Sequence, residues 1–138
     1  MNMTETQATS DQLKARDAMF ELVVSNAHND FLTFVRLVAP QLIADFKMGR
    51  HIEVISNKLQ QVEEGAIKRL MVFLPPRSSK SVICSKLFPA WYIGRHSNHE
   101  ILSVSHSDQL ASDFGRSVRD VVNSDIFKLI FPDVSLRS

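Results

Sequence analysis

The expected fold depends on one segment, LMVFLPPRSSKS, which spans residues 70–81. It begins with the apolar run Leu70–Leu74, and Pro75 and Pro76 then prevent this run from continuing as a helix. A short apolar run bounded in this way is typical of a buried strand. Helical spacing of apolar residues follows from about Ser79 to Ile93. This order predicts a strand, a loop and a helix.

A second strand is predicted further along the chain, in the apolar run Ile101–Val104. Ser107 or Asp108 is in position to cap a following helix, and residues 125–131 add a short apolar turn. A strand, a helix and a second strand in this order indicate parallel pairing. We therefore expect an α/β fold with parallel strands near residues 70–74 and 101–104, and ligands at the carboxyl ends of those strands.

Helical periodicity dominates the chain before this unit. One helix is predicted from about residue 11 to 27 after a Ser10 cap, and a second begins at Asn29 or Asp30 and is interrupted by Pro40. A third covers about residues 51–64, with Gly65 as its C-terminal cap. The expected organisation is a helical region over residues 1–66 and an α/β core over residues 67–138.

Composition narrows the class of protein. The 138 residues are 44% hydrophobic and 22% charged, which excludes disordered and low-complexity chains. The net charge of +1 neither supports nor excludes a nucleic-acid partner. The single cysteine, Cys84, excludes an internal disulfide, no apolar run is long enough to span a bilayer, and Met1–Ser10 do not resemble a secretory signal. We expect a cytoplasmic protein.

The loop between the first predicted strand and its helix carries the chemistry. Lys80 and Ser81 supply the lysine and hydroxyl with which a phosphate loop holds nucleotide phosphates and Mg²⁺ at a helix N-terminus. The formal pattern G-x-x-x-x-G-K-[ST] nevertheless fails twice, because Leu74 and Ser79 occupy its two glycine positions. From these residues alone, a phosphate site and an ordinary solvated helix start both remain open.

Several segments, taken together, resemble the large terminase subunits of tailed bacteriophages, which are DNA-packaging motors. The similarity runs from about Phe31 to the C-terminus, and its segments are RLMVFLPPRSSKS (69–81), FPAWYIGRH (88–96), HEILSVSH (99–106), DQLASDFGRSVR (108–119) and IFPD (130–133). The resemblance implies the N-terminal part of a P-loop ATPase domain, with an incomplete sheet, that takes part in ATP-driven translocation of double-stranded DNA into the capsid. The compartment it implies is the bacterial host cytoplasm.

The resemblance also implies roles for individual residues. Lys80 would bind the β and γ phosphates of ATP, Ser81 would coordinate Mg²⁺, and the backbone of Pro76, Arg77, Ser78 and Ser79 would surround the phosphates. Arg77 would sense the γ phosphate and couple hydrolysis to movement, so Arg77 and Lys80 are the expected catalytic residues. His51 is a candidate for stacking on the adenine, and Arg116 and Arg119 are candidates for contacting DNA or a neighbouring subunit.

Two departures from the family pattern bear on activity. Ser79 replaces the glycine that precedes the lysine, where a side chain crowds the phosphates or strains the backbone. An acidic strand that holds Mg²⁺ and orients water is also absent, because we interpret Asp108, Asp113, Asp120, Asp125 and Asp133 as solvated or capping residues. With that Walker B strand and the nuclease domain missing, the chain alone is expected to be inactive in hydrolysis.

The resemblance implies three partners, namely double-stranded DNA, the portal protein and the small terminase subunit, and a homo-oligomeric ring in the intact motor. The alternative is a decayed prophage remnant or an interaction module without nucleotide hydrolysis. A helicase or kinase would also fit the loop, but it would leave the segment Trp91–Arg95 unexplained.

Overall fold

The computed structural model describes residues 3–136, and all regular elements in that range are helical. They are α1 (Met3–Asn29), α2 (Phe31–Leu42), α3 (Arg50–Glu63), α4 (Lys80–Val82), a π-helical turn (Ile83–Leu87), α5 (Phe88–Arg95), α6 (Asp108–Asn123) and α7 (Asp125–Ile130). None of these helices combines the length and the apolar character needed to cross a membrane.

Most of the helix caps predicted from the sequence are present in the structure. The Asp30 side chain accepts the backbone N–H of Thr33 at 2.7 Å and begins α2, and Ser107 accepts the N–H of Leu110 at 3.3 Å and begins α6. Gly65 follows α3 with φ of +79°, as expected of a glycine cap. The predicted Ser10 cap is wrong, because α1 already begins at Met3.

The expected α/β fold is wrong for the described residues 3–136, which form no sheet. At the first predicted strand, Met71 and Phe73 are 79% and 81% exposed, while Leu70, Val72 and Leu74 pack against the core. This alternation is that of a chain with one buried face, whereas a fully buried strand is covered on both faces. No backbone hydrogen bond joins residues 70–74 to another described segment.

The second predicted strand is also wrong, and residues 101–104 are all exposed. Leu102 and Val104 are 88% and 81% exposed, and the backbone of residues 101–104 has no backbone partner in the described part of the chain. A short apolar run alone cannot specify a strand, since a strand is stable only when neighbouring strands satisfy its N–H and C=O groups. Here no described neighbour does so, and both runs remain irregular.

An aromatic core holds the helices together. Trp91, Phe31, Phe34, Phe127 and Phe131 are all at most 2% exposed and belong to one cluster. The rings of Phe31 and Trp91 lie 5.2 Å apart, and the Trp91 indole Nε1 donates to the Ala27 carbonyl at 3.0 Å. Side chains from α1, α2, α5 and α7 therefore share a single apolar interior.

The helical stretch that follows the loop is continuous from Lys80 to Arg95, but it contains one wide turn. Ile83 N–H bonds back to the Ser79 carbonyl at 3.0 Å, and Phe88 N–H bonds to the Ile83 carbonyl five residues earlier. Ile83 and Leu87 are fully buried within this π-helical turn. The turn thus anchors the loop to the core, and π-helical turns within α-helices are frequent at functional sites.

Candidate functional site

The loop before α4 encloses a concave cavity of about 390 Å³. The nine consecutive residues Leu74–Val82 line it. The six loop residues predicted to bind the nucleotide all lie in this lining, namely Pro76, Arg77, Ser78, Ser79, Lys80 and Ser81. The loop therefore wraps around open space, as a ligand-binding loop must.

Two residues of the loop have left-handed backbone conformations. Arg77 has φ of +63°, and Ser79 has φ of +59° and ψ of +13°. Loops in which left-handed residues adjoin right-handed ones form anion-binding concavities called nests, and Ser79 followed by the helical Lys80 is such a pair. Because neither residue is glycine, each left-handed conformation costs about 1–2 kcal/mol. The expectation that Ser79 strains the backbone is confirmed.

Lys80 and Ser81 lie in the first turn of the helix, where backbone N–H groups carry partial positive charge. Both residues also line a second cavity of about 380 Å³, which includes Cys84 and Leu70. Burial raises the pKa of the Cys84 thiol, and the nearby Lys80 charge opposes this rise only in part. Lys80 thus borders both the loop cavity and a neighbouring cavity.

The Ser78 hydroxyl is an unpartnered polar atom in the wall of the loop cavity. Its Oγ is buried and has no hydrogen-bond partner among the described residues. A buried hydroxyl without a partner is costly, and such groups in native proteins commonly serve a ligand or water. The Ser78 hydroxyl is therefore an unsatisfied donor next to the cavity, but its oxygen is buried away from the cavity surface.

Carboxylates do not contribute to the loop cavity, since its lining contains neither Asp nor Glu. Asp113 instead accepts from Gln109 at 3.0 Å and pairs with Arg116 at 3.3 Å, while Asp108 and Asp125 lie in the first turns of α6 and α7. Within residues 3–136, no cluster of His, Cys, Asp or Glu has the form of a metal site. Ser81 is consequently the only predicted metal ligand that lines the cavity.

The other candidates lie outside the loop cavity. His51 lines an adjacent cavity of about 460 Å³ together with Arg50 and Lys58, and that cavity shares only Leu74 with the loop cavity. Arg116 and Arg119 are exposed on α6, and Arg116 is paired with Asp113. The structure thus brings together the loop residues but leaves these three candidates apart from them.

A buried ionic cluster, centred on Glu63, was not predicted from the sequence. Glu63, with a side chain only 4% exposed, accepts from Arg95 Nε at 2.9 Å and contacts His96 Nε2 at 2.7 Å. Arg95 also donates to the His28 carbonyl at 3.1 Å and to Asn29 Oδ1 at 2.9 Å. The cluster joins the C-terminal ends of α1, α3 and α5. Glu63 lies 32 residues before Arg95 and 33 before His96, so spacing in the sequence carries no signal for the cluster.

Replacing Ser79 by glycine is expected to strengthen phosphate binding. Ser79→Gly removes a side chain from the cavity wall, which gives the phosphates more room. Glycine also adopts φ of +59° without steric cost, but the chain without ligand already holds this conformation, so the relief of about 1 kcal/mol of strain stabilises the fold and not the complex. We expect about fivefold tighter binding of inorganic triphosphate, measured by isothermal titration calorimetry.

Ser78→Gly serves as the matched control for this change, because Ser78 is adjacent and is not left-handed. There glycine removes an unpartnered hydroxyl whose oxygen is buried away from the cavity surface, so triphosphate binding should not improve. Equal gains from both glycine variants would contradict the inference that the Ser79 side chain crowds the phosphates.

No family model matches the chain, and comparisons with curated proteins and with solved structures also found no significant match.

Proposed function

We propose that the loop Leu74–Val82 binds the phosphates of ATP together with Mg²⁺. The observation that carries this proposal is the loop cavity itself, in which the left-handed Arg77 and Ser79 precede Lys80 and Ser81 at the start of a helix. Backbone N–H groups turned to one side, a lysine and a helix N-terminus together favour a polyphosphate anion. The resemblance to large terminase subunits favours ATP as that anion.

The residues of the loop have separate tasks in this proposal. Lys80 neutralises the β and γ phosphates, and the Ser81 hydroxyl completes the coordination of Mg²⁺. The backbone of residues 76–79 surrounds the phosphates. Arg77 is exposed on the loop, and its planar guanidinium suits contact with the γ phosphate.

We further propose that the chain binds nucleotide without hydrolysing it at a significant rate. In-line attack on the γ phosphate requires a carboxylate or an equivalent group that orients water, and the cavity lining has no carboxylate. The chain would act in ATP-driven packaging of double-stranded DNA, with the portal protein, the small terminase subunit and further copies of the motor subunit as partners. Phosphate release by the chain alone would contradict this part of the proposal.

Lys80→Ala tests the site directly. We expect the wild-type chain to bind ATP with Mg²⁺ and the variant to bind at least about tenfold more weakly, because a charge-assisted contact to phosphate contributes about 1.5–3 kcal/mol. Isothermal titration calorimetry measures both affinities.

Lys86→Ala is the control for the loss of positive charge. Lys86 lies in the π-helical turn and lines a different cavity with Asp120. Its substitution should leave the affinity for ATP unchanged. Equal losses from the two variants, or an affinity that does not respond to Lys80→Ala, would refute the assigned site.

A second candidate function is an interaction module that binds a protein and no nucleotide. The observation that favours it is the exposure of the apolar side chains of Met71, Phe73, Leu102 and Val104, since exposed apolar surface marks many protein interaction sites. Calorimetry separates the two functions. If neither the wild type nor Ser79→Gly binds ATP with Mg²⁺, the interaction module is the better conclusion.

A further inference from the structure

We propose that copies of this chain associate head to tail, with residues 70–74 of one copy pairing as a parallel strand with residues 101–104 of the next. This inference does not rest on nucleotide binding. It starts from two segments that the fold leaves incomplete. Neither segment has a backbone hydrogen-bond partner within residues 3–136, so each presents N–H and C=O groups that another chain can satisfy.

The exposed side chains of the first segment alternate along the chain. Arg69, Met71 and Phe73 are exposed, while Leu70 and Val72 pack on the core. The odd-numbered residues therefore form one solvent-facing row, with a positive charge followed by two large apolar side chains.

The second segment carries a matching row of side chains. Residues 100–104 are all exposed, and in an extended chain Glu100, Leu102 and Val104 share one side, on which a negative charge precedes two apolar side chains. Glu100 and Arg69 have no ion-pair partner in the described part of the chain. The two rows are complementary in charge and similar in apolar character.

Only the parallel direction of pairing brings both the apolar side chains and the opposite charges of the two segments together. In parallel register, Arg69 lies opposite Glu100, Met71 opposite Leu102 and Phe73 opposite Val104, and pairs directly opposite one another stabilise neighbouring strands. In the antiparallel arrangement that keeps the apolar pairs, Glu100 would lie opposite Pro75 and Arg69 opposite His106. The charge complementarity therefore selects the parallel arrangement.

Pairing of the first segment with itself is disfavoured by its charges. Antiparallel self-pairing about Val72 brings Lys68 opposite Pro76 and beside Arg77 of the other copy, so basic residues would meet with no acid between them. The occupant that fits residues 70–74 is thus the other segment, residues 101–104, of a second copy. Such a heterologous contact leaves one free segment at each end and allows further copies to add.

Two variants, each blocked in one segment, test this geometry. Phe73→Asp blocks the first segment and Val104→Asp blocks the second, and both side chains are 81% exposed. Sedimentation velocity should show that the wild-type chain forms species larger than a dimer as concentration rises, whereas each variant alone stays monomeric. An equimolar mixture of the two variants should form a dimer and nothing larger, because only one complementary pair of segments remains.

Charge reversal provides an independent readout of the register. Arg69→Glu or Glu100→Arg alone should weaken self-association about fivefold, and the double variant should recover it. Circular dichroism checks that each variant keeps the wild-type helix content, and Met71→Asp with Leu102→Asp replaces the blocking pair if either variant fails this check.

Three results would overturn the proposal. The first is a wild-type chain that stays monomeric at every concentration tested. The second is self-association of Val104→Asp alone, which indicates that the first segment pairs with itself. The third is a mixture of blocked variants that stays monomeric while the wild type associates.

Discussion

Replacing Trp91 by alanine is expected to lower the free energy of unfolding by about 3–5 kcal/mol. Trp91 is fully buried and is the largest side chain of the core. Its ring packs 5.2 Å from Phe31 and 6.4 Å from Phe88, and the Arg95 guanidinium lies 5.1 Å from its centroid. Truncation leaves a cavity where α1, α2 and α5 meet, and it removes the hydrogen bond to the Ala27 carbonyl.

Trp91→Phe separates the apolar contribution from the hydrogen bond. Phenylalanine keeps most of the buried ring but cannot donate to the Ala27 carbonyl, so a smaller loss of about 1–3 kcal/mol is expected. Urea unfolding followed by circular dichroism measures both variants. A loss below about 1 kcal/mol for Trp91→Ala would contradict the central place of Trp91 in the core.

Replacing Glu63 by glutamine is expected to cost about 2–3 kcal/mol at neutral pH. Glu63 accepts from Arg95 and contacts His96 through one buried oxygen. The neutral amide removes the negative charge and leaves the Arg95 guanidinium without its carboxylate partner. Because Arg95 also contacts His28 and Asn29, the loss loosens the junction of α1, α3 and α5.

The same substitution should change how stability depends on pH. Burial raises the pKa of Glu63, but hydrogen bonds from Arg95 and His96 and the charges of both outweigh this, and the pKa lies below its ordinary value of 4.5. A carboxyl whose pKa is lowered on folding adds stability above its unfolded pKa and loses it as pH falls through the folded pKa. The advantage of the wild type over Glu63→Gln should therefore hold at neutral pH and shrink below about pH 4.5.

Glu64→Gln is the matched control for both measurements. Glu64 is the next residue, is exposed, and accepts only from Gln60 at 3.1 Å. Its substitution should leave both stability and its pH dependence nearly unchanged. If urea unfolding across the acidic range gives the same curves for the two variants, the buried cluster does not stabilise the fold.

Local chemistry made the helix boundaries predictable. The Asp30 and Ser107 caps and the left-handed Gly65 each act within a few residues of their own position, so the sequence alone is sufficient to place them. The loop residues were predictable for the same reason, because Lys80 and Ser81 follow directly on a proline-bounded turn. The cavity that they line spans only consecutive residues.

Whether the predicted strands form, and whether the buried cluster assembles, depends on residues that are distant in the sequence. Whether Leu70–Leu74 forms a strand is decided by a hydrogen-bonding neighbour, and no property of those five residues reports whether one is present. The meeting of Glu63 with Arg95 likewise depends on how α3 and α5 pack, since the two residues lie 32 positions apart.

For the segment LMVFLPPRSSKS, the sequence alone therefore determined the turn and the places of the lysine and the serines, since these follow from residue type and immediate neighbours. The tertiary structure decided that its apolar half stays unpaired, with Met71 and Phe73 in solvent, and that Arg77 and Ser79 adopt left-handed conformations around a cavity. The physical reason is that caps and turns satisfy their own backbone groups. A strand, by contrast, relies on groups elsewhere in the fold or on another chain.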